Sequence, residues 1–365
     1  MIGQLGLGGA EKQLVLLARE LSARGVRTHL LVMLEKGPRE EELRNSSVSL
    51  VELGFRHRSL GWRSYLANIR AFVRFVAFLR KERPQVLQAF LFHAYVMAAP
   101  AARLARVPVF LAGRRSLGFY KKGNRAALVA ERVATRLTDF LVANASAIAD
   151  EVRHDEGVPA AKISVIPNGM RPEEFEITEP AEISTSLPVV LCVANLAVHK
   201  GHRYLLEACA ALRDTGKPCT LVLIGDGAER PGLQRMAERL DIDVRFLGAR
   251  TDVAGYLARA DVVVLPSLSE GSSNAVAEAM AAGRPVVATA VGGTPELLRG
   301  RGILVPPSDP AALAEGLQQM LGDRDTALAL GQRAREWAMA NLTAEVMVDR
   351  YIALYRQLLE GQPSA

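Results

Sequence analysis

Residues 262–289, VVVLPSLSEGSSNAVAEAMAAGRPVVAT, hold a strand, a loop, a helix and a second strand in one short piece of chain. The run VVVL is continuously apolar and ends at Pro266-Ser267, and VVAT repeats the pattern after Arg284-Pro285. Between them Ser272 or Ser273 can cap a helix, NAVAEAMAA, that Gly283 and Pro285 close. Strands without polar alternation, joined through a helix, belong to a parallel sheet covered on both faces. Glu270 and Glu278 invite a reading as a catalytic acid and base, which would have to sit roughly 5–9.5 Å apart facing one bond. On one helix their separation would rise about 12 Å with side chains about 80° apart. They fit better as two acids framing an exposed helix N-terminus. That terminus is an anion site, and the flanking carboxylates are poor phosphate ligands but good acceptors for sugar hydroxyls.

The same alternation runs through the chain. THLLVML, SVSLVEL, PQVLQAF, PVFLAG, DFLVANA and ISVIP read as strands in the first half. PVVLCVAN, CTLVLIG, VRFLG, VVVLP, PVVAT and GILVPP read as strands in the second. With 365 residues, 49% hydrophobic and 23% charged, two α/β domains are expected. The polar stretch between Arg171 and Pro188 is expected to link them, and after Asp309 the pattern is helical. The divisions are residues 1–172, a linker 173–187, 188–340, and a C-terminal helix within 341–365.

Composition narrows the partners. The net charge of +6 conceals a basic first half, with 26 Lys+Arg against 14 Asp+Glu up to Met170, and a mildly acidic remainder with 19 against 25. A basic half meets an anionic partner. With aromatics at 5% and no aromatic-interleaved basic motif, lipid headgroups or a phosphorylated substrate lead over nucleic acid. The segment 59–84, SLGWRSYLANIRAFVRFVAFLRKERP, interleaves Trp62, Ile69, Phe72, Phe75, Val76 and Leu79 with Arg63, Arg70, Arg74 and Arg80. Such a helix can lie in an anionic membrane interface, with KKGNR at 121–125 adding charge. An ordinary helix packed on a sheet accounts for the same pattern. No apolar run approaches the length of a transmembrane helix, and the start lacks a secretory signal. Cys192, Cys209 and Cys219 read as buried free thiols of a reducing cytoplasm.

Several turns sit where a parallel sheet binds ligands. GLGGAEKQL places glycines 6, 8 and 9 at the start of a helix, where a phosphate or a plain tight turn fits equally. With Glu35 it also permits a dinucleotide-binding reading, although Glu11 occupies the third glycine position. Only Met1 and Ile2 precede this turn where a strand is expected, so that strand is either missing or truncated. Lys200-Gly201, Gly225-Asp226-Gly227 and Arg250 each follow a strand in the second half. Asp241-x-Asp243 and Asp323-x-Asp325 have metal-site spacing but read as solvated surface, and G-x-S-x-G and His/Cys metal clusters are absent.

Taken in order, LGLGGAEKQL, VIPNGM, VHKG, LIGDG, FLG before Arg250, ADVVVLPSLSEGSSNAVAEAMAAGRPVVAT and GGTPELL resemble retaining GT-B glycosyltransferases of family four. The resemblance covers nearly the whole chain. It implies an α/β GT-B fold of two Rossmann-like doubly wound domains facing across a cleft, a UDP- or GDP-linked sugar as co-substrate, and no divalent metal or other cofactor. By position, Glu278 would hold the ribose and Glu270 the donor sugar. The amides of Gly271, Ser272, Ser273, Asn274 and Ala275, with Lys200, would hold the diphosphate, and Gly8 and Gly9 would approach it. Gly225 and Arg250 would complete the donor site near the base, and Glu270 and Lys200 would carry the catalytic role. Asn195 stands where the family has an arginine. Arg114 stands at a usual histidine near the sugar, and His93 remains from a histidine-rich stretch whose other places are Gln88 and Phe90. The resemblance further implies a glycan or lipid-linked acceptor in cell-envelope polysaccharide synthesis, and a cytoplasmic enzyme at the inner face of the membrane. An NAD-dependent oxidoreductase and an inactive sugar-nucleotide-binding protein are the alternatives.

Overall fold

The computed structural model describes residues 1–56, 62–115 and 125–361. In chain order the helices and strands are α1 Gly9–Ala23, β1 His29–Val32, β2 Ser49–Glu52, α2 Trp62–Glu82, β3 Val86–Phe90, α3 Phe92–Ala105, β4 Val109–Arg114, α4 Arg125–Arg136, β5 Phe140–Ala143, α5 Ser146–Glu156 and β6 Ile163–Val165. They continue with β7 Val189–Val193, α6 His202–Asp214, β8 Thr220–Ile224, α7 Arg230–Arg239, β9 Val244–Gly248, α8 Val253–Arg259, β10 Val262–Leu265, α9 Asn274–Ala281, β11 Val286–Thr289, α10 Thr294–Leu298, β12 Ile303–Val305, α11 Pro310–Gly322, α12 Arg324–Asn341 and α13 Ala344–Glu360. Eleven of the twelve strands fall within the apolar runs, β4 passes the end of its run by one residue, Arg114, and every strand pair is parallel.

The chain forms two units. The first comprises Met1–Gly169 with Ala344–Ala365, and the second Met170–Thr343. In the first, β3-β4-β5-β6 lie side by side in chain order and β1 pairs with β2. Met1 to Gly3 stitch the two sheets together. The Met1 carbonyl accepts the Phe90 amide at 2.8 Å, and the Ile2 amide donates to Leu31 at 3.0 Å. Beyond this contact β1 and β3 stay apart, enclosing a cavity of about 570 Å³ lined by Leu30, Leu31, Val86, Leu87, Leu17 and Tyr355. Where a full strand is expected before the Gly-rich turn, these first residues supply only a short bridge.

Helices cover both faces of this unit. Phe75, Val76 and Leu79 of α2, Tyr95 and Ala98 of α3, and Ala134 of α4 form one core against the sheet. Leu14, Leu17 and Leu21 of α1 form the other with Met347, Val348, Tyr351 and Leu354 of α13. The C-terminal helix therefore closes the sheet that the chain began.

In the second unit the strand order is β12-β11-β10-β7-β8-β9. The chain starts at the middle strand, runs out to β9, then returns to build β10 to β12 on the other side. α6 and α11 cover one face, and α9, α10 and α12 the other. The stretch 173–187, read from its polarity as a linker, packs on this unit. Pro172–Phe175 form a short 3-10 turn, Arg335 Nη2 donates to the Phe175 carbonyl at 2.5 Å, and the Ala181 amide donates to Gly255 at 2.8 Å. Its backbone groups find partners in the second unit, which composition could not show.

Among the described residues no helix is long and apolar enough to cross a membrane. All three cysteines are buried and free, and burial pushes the Cys192 thiol up to about 12.

Candidate functional site

An open parallel sheet binds ligands beyond the carboxyl ends of its strands, where strand order reverses. In the second unit that point lies between β7 and β10, neighbours in the sheet whose connections leave in opposite directions. The loop after β7 carries Asn195 and a 3-10 turn, Val198–Lys200. The loop after β10 carries Ser267 to Ser273 and opens α9.

The two loops are joined at their bases. The Leu268 amide donates to the His199 carbonyl at 2.8 Å. Gly201 has φ +68°, and a Cβ there would lie 2.0 Å from the Pro266 carbonyl oxygen, so only glycine lets the β7 loop pass this close. Lys200 is thereby held over the end of β10. Its Nζ donates to Glu270 Oε1 at 2.5 Å, and Ser267 Oγ donates to the same oxygen at 2.7 Å. Glu270 is 9% exposed. A carboxylate that far out of water requires its two donors, and the ion pair keeps both charges at the switch point.

Behind Glu270 the β11 loop closes in. Gly292 has φ +54°, and a Cβ on it would stand 1.8 Å from the Glu270 carbonyl oxygen. The Gly293 amide donates to the Gly271 carbonyl at 2.7 Å, and Thr289 Oγ1 donates to Ser267 O at 2.5 Å. Glu270 thus stands on a backbone braced from β11. α9 begins beside it, capped by Ser273, whose hydroxyl accepts the Val276 amide at 3.3 Å. The first amides of a helix point outward with the positive end of its dipole. Ser272, Asn274 and Ala275 occupy this start, and Glu278 lies one turn further, half-buried.

His202, at the first position of α6, is 3% exposed, and neither ring nitrogen has a hydrogen-bond partner. Burial, then the neighbouring Lys200 charge, lowers its pKa to about 4, so it is neutral near pH 7. For Ser267, Thr289, Gly292 and His202 the sequence does not show what each side chain or backbone will meet. Their importance comes from strands distant in the chain.

The other expected residues lie around or away from this centre. Asn195 is exposed on the β7 loop, and the Gly225 amide donates to the Gly248 carbonyl at 2.8 Å, tying the β8 and β9 ends. Arg250 follows β9 and is held by both oxygens of Asp252, at 2.7 and 2.6 Å, with its guanidinium 5.2 Å from the Tyr256 ring. The acid at Asp252 already engages the cation read as a base-pocket residue.

Gly8, Gly9, His93 and Arg114 belong to the first unit. Gly8 precedes α1 and Gly9 is its first residue, with Glu11 in the first turn. His93 is exposed at the second position of α3. Arg114, expected in the vicinity of the sugar, is engaged within the first unit. Its guanidinium is 6% exposed, ion-paired with Glu131 and with Glu156 at 2.7 Å, and it donates to Tyr95 Oη and to Thr135 at 3.0 Å. An arginine so engaged holds α3, α4 and α5 together. Gln88 likewise accepts a hydrogen bond from Tyr355 of α13.

The metal-like spacings have local explanations. Asp243 accepts from Thr220 at 2.8 Å and pairs with Arg245 at 3.0 Å, while Asp323 caps α12 through Thr326. Among the described residues no His, Cys, Asp and Glu side chains group as metal ligands.

Two doubly wound units, with an ion pair and a capped helix start at the switch point of the second, define a GT-B type of protein. Comparison with known proteins identifies which. The profile described as Glycosyltransferase Family 4 matches residues 7–174, and that of Glycosyl transferases group 1 matches residues 187–323. Glycogen synthase of Mycobacterium tuberculosis is 31% identical over 313 residues, 78% of this chain and 72% of that protein. The chain belongs to glycosyltransferase family 4. D-inositol 3-phosphate glycosyltransferase of Corynebacterium urealyticum is 34% identical over 242 residues, 60% of this chain, and the match spans 57% of that protein's length. Alpha-D-kanosaminyltransferase of Streptomyces kanamyceticus is 26% identical, and the match spans 63% of each chain. Among solved structures, Anabaena HepE in complex with UDP-glucose aligns with TM-score 0.82 at 22% identity over 98% of both chains. WaaG, a glycosyltransferase involved in lipopolysaccharide biosynthesis, aligns with TM-score 0.73 at 18% identity, over 97% of this chain and 99% of that one.

Proposed function

We propose that this chain is a retaining, metal-independent glycosyltransferase that moves a sugar from a UDP- or GDP-linked donor to a glycan or lipid-linked acceptor in cell-envelope polysaccharide synthesis. The observation that carries the reading is the meeting of Lys200 and Glu270 at the switch point of the second unit, beside the N-terminus of α9. The UDP-glucose complex of HepE supports the choice of donor class.

In this reading the amides from Gly271 to Ala275 and Lys200 hold the diphosphate. Its charge grows as the glycosidic bond breaks, and a fixed ammonium with preorganised amides stabilises that change more than the ground state. Glu270 accepts hydrogen bonds from the sugar and Glu278 from the ribose. Carboxylates suit hydroxyl groups, which donate, and their negative charge keeps them off the phosphates. Departure and return on one face of the sugar, with the leaving phosphate taking the acceptor proton, requires no protein base. The acceptor is presented at the inner face of a membrane in the cytoplasm.

Release of nucleoside diphosphate from UDP- and GDP-sugars, followed with a chelator present, tests the reaction. Chelator-resistant transfer with an unchanged anomeric configuration by NMR is the expected result. Inversion, or loss of turnover on chelation restored by a divalent ion, would refute the corresponding half of the proposal.

A further inference from the structure

Of the apolar residues that the sequence offered to a membrane, Ile69 is exposed, while Phe72, Phe75, Val76 and Leu79 pack inward. Phe75, Val76 and Leu79 of α2 are buried against the sheet. What α2 turns outward is a second stripe: Tyr65, Leu66, Ile69 and Val73, spaced at three and four residues, with Arg70, Arg74 and Arg80. Among the described residues fourteen large hydrophobic side chains are exposed, and eight lie on α2, α3 and α4. α3 packs between α2 and α4, so the three form one helical layer of the first unit. α3 adds Leu104, while α4 adds Leu128, Val129 and Val133, the last two 59% and 51% exposed.

The charge on this layer has one sign. Nine Lys and Arg stand on the three helices against two acids. Both acids are withdrawn: Glu82 pairs with Arg27 at 2.5 Å, and Glu131 is buried against Arg114. Arg70, Arg132 and Arg136 are exposed and carry no ion pair among the described residues. Nucleic acid has no use for a row of unpartnered valines and leucines, and a folded partner would have to bring an acidic surface shaped to them. An anionic bilayer accepts both features, because apolar side chains enter the acyl boundary while arginines reach the headgroups.

We propose that the α2-α3-α4 layer is a peripheral docking face for anionic lipid, with α4 contributing as much as α2. This deepens the acceptor half of the proposed reaction and rests on that reading, since a lipid-linked acceptor lies where the layer would hold the enzyme.

The test is sedimentation with vesicles of phosphatidylglycerol and phosphatidylcholine, and with phosphatidylcholine alone. The intact chain should bind the anionic vesicles only, and release them as salt rises. Each basic side chain near such a surface is worth about fivefold, so Arg132→Gln with Arg136→Gln should lower partitioning about 25-fold. Val129→Ser with Val133→Ser should lower it roughly tenfold. Both pairs are exposed, so folding is not at stake, and Leu328→Ser on α12, also exposed, should change nothing. Equal binding to neutral vesicles, or unchanged partitioning in both α4 variants, would overturn the proposal. So would loss of binding in the arginine variant alone together with tight heparin binding, the mark of an anionic polymer site. Nucleoside diphosphate binding, measured in the same variants, should be unchanged. Vesicle binding without any nucleotide binding would sink the reaction reading while leaving the surface standing.

Discussion

Replacing Lys200 with methionine leaves the Glu270 carboxylate at 9% exposure with the Ser267 hydroxyl as its remaining donor. Stripping one partner from a fully buried pair costs about 3–5 kcal/mol. Lys200 keeps 19% of its side chain in water, so the expected loss is about 2–3 kcal/mol, near that of a hydrogen bond between charged groups. Glu270→Gln preserves shape and should cost about 1–2 kcal/mol. With both changes the carboxylate no longer lacks its ammonium, and the double variant should be about 2 kcal/mol more stable than the two losses added together. Urea unfolding followed by Trp337 fluorescence, in a Trp62→Phe background, reports the second unit, because the chain has two tryptophans and Trp337 is on α12. Losses that add to within about 0.5 kcal/mol would show that Lys200 and Glu270 do not form one unit.

Other perturbations separate the roles assigned to this site. Glu278→Gln should weaken binding of whichever of UDP or GDP is the donor nucleotide by about tenfold or more, the worth of a charged hydrogen bond; calorimetry showing unchanged affinity would remove Glu278 from the ribose. Glu270→Gln should instead leave the free nucleoside diphosphate nearly unaffected and weaken the nucleotide sugar, and equal effects on both would contradict a sugar contact. Gly292→Ala puts a methyl group 1.8 Å from the Glu270 carbonyl, so thermal unfolding should show a loss of at least about 1 kcal/mol, with faster amide exchange at Gly271 and Gly293; an unchanged melting temperature would refute the bracing. His202 has a folded pKa of about 4 against an ordinary 6.5. The unfolded chain takes up its proton first as pH falls, so about 3 kcal/mol of stability present above pH 6.5 drains away toward pH 4. His202→Leu should remove that part of the slope, and parallel stability curves for the two proteins would show that His202 does not carry it.

The strands were legible because both faces of each sheet are covered. VVVL, PVVAT and VVLCV have no polar side to hide, and Gly, Pro or Ser marks their ends. The cap at Ser273 was legible too, since a short hydroxyl before an apolar helix has one economical use. Pairing across the sheet was not. Nothing local to Lys200 says that Glu270, seventy residues on, will meet it, because strand order decides that and strand order depends on crossovers. The partners of Arg114 were hidden for the same reason, as Glu131 and Glu156 arrive from α4 and α5. On α2 both stripes are apolar at helical spacing, and only packing on the sheet decides that Phe75 and Leu79 go in while Ile69 and Val73 stay out.

The central claim is that the second unit grips the diphosphate of a nucleotide sugar at Lys200 and the start of α9, with Glu270 beside them on the sugar. Calorimetric titration of the whole chain with UDP, GDP, ADP and NAD tests it in one experiment. The account predicts binding of UDP or GDP that Lys200→Met weakens severely, with NAD silent. Binding of NAD alone, or nucleoside diphosphate binding indifferent to Lys200, would contradict it.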